Sequence, residues 1–197
     1  MFDVLFSHIE DKVKLTDEEK QRISTFFTFR KVRKRQYILQ ENDVCRNLSF
    51  VRKGLLKSYR LDEKGTEHIT LFGWEGWWVS DFNSFVNQAP AVLNIDAVED
   101  TELLNLSREN YEQMTLEVPV MDRYFRILYQ NSLVTKDQRL ISSNSDTAEE
   151  KYKSLIRFNP DIIQRIPQNL IASYLGLAPE TLSRIRKKLT LKKVKKS

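Results

Sequence analysis

Between residues 167 and 189 the apolar positions fall into two short helical runs. Leu170, Ile171 and Leu175 share one face, and Leu182, Ile185 and Leu189 share another. Gly176 separates the runs where a positive φ would end the first helix, and Pro179 opens the second with φ already set for a helix. The spacing predicts two helices on a stiff turn, with the small Ala172 where they cross. Upstream the period changes. From residue 29 to 106 the chain reads as short β-like segments: RQYILQ, LSFVRKG, LLKSYRLD, EHITLFGW, WWVSDF, LNIDAVED and TELLNLS. Asn42-Asp43, Gly54, Asp62-Glu63-Lys64-Gly65, Gly73, Gly76 and Pro90 punctuate them. Closely spaced strands with no helices between them predict an antiparallel roll or barrel, so the fold class is α+β.

Helix signals flank this region. Thr16-Asp17-Glu18-Glu19 is a capping box opening a helix to about residue 27, and Ser107 is an N-cap for a short helix to about residue 116. Pro119 starts a longer helix, 120–141, on which Met121, Phe125 and Leu128 form one apolar stripe. Val120, Tyr124, Ile127 and Val134 form a neighbouring stripe. Two stripes need two partners. One is the β-domain and the other a second copy of the same helix, with Asn131 in the seam and Met121, Tyr124, Phe125 and Leu128 as candidate dimer contacts. A helix buried twice within one chain would give the same pattern. Ser142 to Asp146 read as a polar hinge, and Thr147-Ala148-Glu149-Glu150 as a second capping box whose helix ends near Asn159-Pro160. The expected units are 1–116 (roll), 117–142 (dimerisation helix), 143–146 (hinge) and 147–197 (helix-turn-helix).

Composition alters the picture through charge. The 197 residues are 41% hydrophobic and 11% aromatic, enough for a core, and the net charge is only +5. It is unevenly placed. From residue 151 onward there are 12 Lys and Arg against 2 acids, a net +10, while the first 150 residues carry −5. A basic module on an acidic carrier suits a phosphate polymer, because Lys and Arg release condensed counterions from double-stranded DNA. The outer face of the second helix supplies candidate DNA contacts: Glu180, Thr181, Ser183, Arg184, Lys187 and Lys188. Glu180 and Arg184 lie four apart, so one can accept from a cytosine amino group while the other forks onto guanine. A solvated helix with an i, i+4 ion pair is the plainer alternative. The terminal KKLTLKKVKKS also fits a disordered tail or a membrane-surface contact.

Other chemistry finds little support. No run approaches the ~18 apolar residues of a membrane span, and the N-terminus lacks the order of a secretion signal, so no membrane partner and a cytoplasmic protein are expected. Cys45 is the single cysteine and reads as a buried thiol. His8 and His68 are far apart and have no carboxylate at ligand spacing. An enzyme, a metal site and a resident cofactor are therefore not expected.

The order of parts resembles the Crp/Fnr family of bacterial transcription regulators, most strongly in IASYLGLAPETLSRIRKKL and in YILQENDVCRNLSFVRKGLLKSYRLDEKGTEHITLF. The resemblance covers nearly the whole chain. It implies a cyclic-nucleotide-binding-type roll, a dimerisation helix, a C-terminal helix-turn-helix, RNA polymerase as a protein partner and a small-molecule effector. The family's DNA-facing acid, hydroxyl and arginine match Glu180, Thr181 and Arg184, whereas Pro179 stands where a basic residue is usual. The strand-built wing after the recognition helix is missing here or replaced by the lysine run. The family's ribose-binding Gly-Glu pair aligns with Ser80-Asp81, and its phosphate-binding Arg-Ser/Thr pair with Ala91-Val92. With no Lys or Arg between Lys64 and Arg108, cyclic AMP in the usual pose is disfavoured, since a buried phosphate would lack a partner. Trp78 and Phe82, with Trp74, Trp77 and Phe85, either line a pocket for an uncharged ligand beside these positions or pack as core. The runner-up is a ligand-binding module whose basic helical tail contacts a partner other than DNA.

Overall fold

The computed structural model describes residues 1–158 and 160–194, with side chains given through residue 189 except at 158 and 162. The lysine run beyond that point lies outside the described side chains. Two helices precede the strands, α1 (Asp3–Glu10) and α2 (Asp17–Ser24). The expected capping box opens α2, with Thr16 Oγ1 accepting from the Glu19 N–H and Glu19 accepting from the Thr16 N–H. The helix ends three residues early, because Phe27 already pairs with Leu106.

Eight strands form the roll: β1 (Phe27–Val32), β2 (Tyr37–Leu39), β3 (Asn47–Lys53), β4 (Leu56–Leu61), β5 (Glu67–Gly73), β6 (Trp78–Val79), β7 (Asn94–Ala97) and β8 (Thr101–Ser107). They make two four-stranded sheets in the orders β1-β8-β3-β6 and β2-β7-β4-β5, every pair antiparallel. Gly54 turns β3 into β4 at φ +107°, where an added Cβ would sit 2.8 Å from the Asp100 carbonyl oxygen. Only glycine fits there. The segment WWVSDF is not the strand its pattern suggests. Two residues pair as β6, and Asp81 then caps a six-residue helix, α3 (Phe82–Asn87).

Helix α4 (Arg108–Glu117) starts where expected, with Ser107 Oγ accepting from the Asn110 N–H at 3.1 Å. Helix α5 (Val120–Ser145) runs on through the predicted hinge and leaves only Asp146 and Thr147 before α6 (Ala148–Phe158). A run of serines does not break a helix when each hydroxyl bonds the backbone of the preceding turn, as Ser143 does to Leu140 O (2.7 Å) and Ser145 to Ile141 O (2.9 Å).

The first half of α5 belongs to the core of its own chain. Met121 and Tyr124 are fully buried and Phe125 is 1% exposed, against Trp78, Phe50 and the apolar face of α1. This corrects their assignment to a subunit seam, since a side chain with no exposed surface has none to offer a second copy. Leu128 packs partly against the same core. The chain then forms α7 (Pro160–Arg165), α8 (Gln168–Leu175) and α9 (Pro179–Val194).

Candidate nucleic-acid interface and sensor cavity

Helix α8 ends as predicted. Gly176 takes φ +67°, its N–H bonds Ser173 O, and the Leu177 N–H bonds Ala172 O. That closes the last carbonyls of the helix without a side chain. Ile171, Ala172 and Leu182 are buried between α8 and α9, with Ile185 and Leu189 packed beside them. The opposite face of α9 is open: Glu180, Ser183, Arg184, Lys187 and Lys188 are exposed and Thr181 is half-buried. Arg184 leans on its own helix, Nη2 on Thr181 Oγ1 and Nε on the Glu180 carbonyl oxygen, both at 3.4 Å. It does not pair with the Glu180 carboxylate, so that acid stays free to accept. Lys188 differs from its neighbours. Its ammonium holds Glu149 of α6 at 2.7 Å, and Lys153 takes the other oxygen. Hydrogen bonds from these two lysines keep the Glu149 carboxyl at about 2. Lys188 thus braces α9 against α6 and has less of its charge to offer a phosphate.

The helix pair is docked on the roll of its own chain, an arrangement that local periodicity does not encode. Ser173 Oγ donates to Glu67 O at 2.5 Å and accepts from the Ile69 N–H at 3.1 Å, standing in for a strand partner on the open edge of β5. Tyr174 meets Phe72, ring centroids 5.3 Å apart, and the Arg139 guanidinium lies 4.1 Å from the other ring centroid, that of Tyr174 itself. Arg139 also donates to Thr70 O. Arg165 forks between Glu75, at 2.9 and 3.1 Å, and Glu99. The sole outward sign in the sequence is a serine within the apolar α8.

At the positions aligned with the family's nucleotide site, the chain fills its own space. Asp81 is 3% exposed, and its two oxygens accept from the Ser84 and Val92 N–H groups, each at 3.0 Å. The carboxylate ties the start of α3 to the following loop and is not available to a ribose. Ala91 is buried and exchanges backbone hydrogen bonds with Asn42 and Asp43. Val92 and Phe82 are largely exposed, the latter against Tyr129. Trp78 packs among Phe27, Phe50 and Phe125 and donates to Tyr124 Oη at 2.7 Å. Of the residues expected to line a pocket, Trp78 and Ala91 pack in the core, Asp81 caps α3, and Phe82 and Val92 are exposed.

Ser80 alone of that set lines a cavity, which lies inside the roll and has a volume of about 180 Å³. Its walls are Ile38, Leu39, Val44, Val79 and Ile95, with Cys45, Asn47, Ser49 and Asn105, and with Arg30 and Arg46. Burial pushes the Cys45 thiol up, so it is a neutral wall group. Sequence reasoning missed this site because its residues come from six separate segments.

Residues 29–117 match the family described as "Cyclic nucleotide-binding domain". Along its length the chain is 25% identical to regulatory protein HlyX of Actinobacillus pleuropneumoniae, covering 87% of this chain and 75% of the relative. It is 24% identical to the transcriptional activator protein Anr of Pseudomonas protegens, over 79% and 68% of the two chains. Among solved structures, FixK2 of Bradyrhizobium japonicum superposes with a TM-score of 0.70 at 21% identity, covering 84% of this chain and 85% of that one. No helix among the described residues is long and apolar enough to cross a membrane.

Proposed function

The chain belongs to the Crp/Fnr family of transcription regulators, and from that premise we propose that it reads specific sequences of double-stranded DNA as a homodimer. The observation that carries this reading is the open face of α9, where Glu180, Thr181, Ser183, Arg184 and Lys187 stand outward on a helix fixed by the Gly176 turn. The N-terminal residues of such a helix reach base edges, and flanking hydroxyls and amines hold phosphates. The dimer surface is the second half of α5. Leu133, Val134, Leu140 and Ile141 are 61, 57, 63 and 65% exposed. They repeat at seven residues, the spacing of a two-helix seam.

The roll of this regulator does not take cyclic nucleotide in the family's usual pose, because Asp81 is already engaged and Ala91 and Val92 offer no cation. We further propose RNA polymerase as its protein partner and the cytoplasm as its setting, both as implied by the family resemblance. Fluorescence anisotropy across a salt series tests the DNA reading. Log affinity for a cognate duplex should fall linearly with log salt while a preference over unrelated duplex persists. Equal affinity for all duplexes would favour a ligand-binding module with a merely basic tail.

A further inference from the structure

The cavity in the roll has a consistent chemistry. Every charged group that lines it is cationic, and no carboxylate does. Arg46 is exposed and its guanidinium meets no partner among the described residues, and Arg30 is half-buried with one long contact of 3.4 Å to Tyr37 O. Deeper in, Asn105 is 6% exposed and its Oδ1 accepts from Ser49 Oγ at 2.9 Å. Its amide N–H₂ donates to nothing among the described residues. Asn105 lines the cavity, so this amide is a donor that an acceptor from outside the chain can meet there. Ile38, Leu39, Val44, Val79 and Ile95 supply the aliphatic part of the wall.

We propose that this cavity is the effector site of the regulator and takes a small monocarboxylate with an apolar body of about benzene's bulk. The proposal rests on the reading of the roll as a sensor. Size sets the upper limit: about 180 Å³ is below the ~300 Å³ at which drug-sized ligand pockets begin, and near the ~150 Å³ cavity that accepts benzene. Charge sets the class. A carboxylate matches the planar fork of an arginine and accepts from an amide N–H, while the apolar body meets the aliphatic wall. The cavity meets the aligned nucleotide positions at Ser80 alone, since Asp81, Ala91 and Val92 do not line it.

Isothermal titration of the full chain with benzoate, 3-methylbutanoate, benzyl alcohol and inorganic phosphate tests this. Benzoate or 3-methylbutanoate should bind once per chain, at least tenfold more tightly than either benzyl alcohol or phosphate. The double variant Arg30→Gln/Arg46→Gln should lose that preference for the carboxylate while keeping the weak affinity for benzyl alcohol, and Asn105→Asp should lower carboxylate affinity at least tenfold. Three results would overturn the proposal: benzyl alcohol or phosphate binding as tightly as the carboxylates, carboxylate affinity unchanged in the arginine double variant, or neither carboxylate binding. Duplex binding measured on the same samples separates the two readings, because a protein that binds DNA but neither carboxylate loses this effector class alone.

Discussion

In the proposed DNA reading Arg184 carries the most specific role. It sits one turn from Glu180 on the open face of α9, where its fork would be the group to reach guanine. Arg184→Ala should cost about 1–3 kcal/mol on the preferred duplex and relax preference at one base pair, whereas Lys187→Ala should weaken all sequences alike and flatten the salt slope by about one unit. Binding measured on a panel of single-base variants separates the two patterns. A second prediction concerns His8, under the roll. Tyr124 Oη accepts from Trp78 Nε1, leaving its own proton for His8 Nδ1 at 2.8 Å, and the imidazole is neutral. Burial, reinforced by Lys12, lowers its pKa from 6.5 to about 4. In that window the unfolded imidazole binds a proton and the folded one does not, so stability is retained above about pH 6.5 and falls as pH drops toward 4. Denaturant midpoints at pH 7 and pH 4.5 should differ less in His8→Gln than in the unmodified chain. The exposed place of Arg184 was legible in the sequence because it depends on position along one helix. The role of Asp81 was not, since what the carboxylate does is decided by the Val92 N–H eleven residues later.

Helix α5 shows what periodicity tells and where it stops. Both stripes exist, but they are divided along the helix as well as around it: the first half faces the chain's own roll, and the apolar residues of the second half, Leu133, Val134, Leu140 and Ile141, are exposed. A stripe pattern names the apolar faces without naming what covers each. Leu140→Asp with Ile141→Asp should therefore leave the fold and melting temperature of the chain nearly unchanged while converting dimer to monomer in light scattering. Phe125→Ala should instead cost about 3–5 kcal/mol of stability, through the cavity it leaves beside Trp78. If the paired aspartates leave the dimer intact, the seam lies elsewhere. The capping boxes at Thr16 and Thr147 were readable because reciprocal bonding depends on residues three apart. Helix α3 was hidden because six residues following two paired ones carry too few apolar positions to declare a period.

At the scale of the molecule, the C-terminal helices are attached to the roll by Ser173 on β5 and by Arg165 between Glu75 and Glu99. The composition shift at residue 151 sets a basic C-terminal part apart from the rest, but contacts spanning 66 to 106 residues have no local signature. Arg165→Ala should loosen the docking, seen as faster limited proteolysis around residues 146–147, while the roll alone keeps its melting behaviour. The most direct test of the whole account is selection of bound duplexes from a random library by the unmodified protein. An open reading helix on each of two copies related by a two-fold axis predicts an enriched inverted repeat with half-sites about 34–36 Å apart, one turn of the duplex. Enrichment of a single unrepeated half-site, or of no sequence at all, would contradict it.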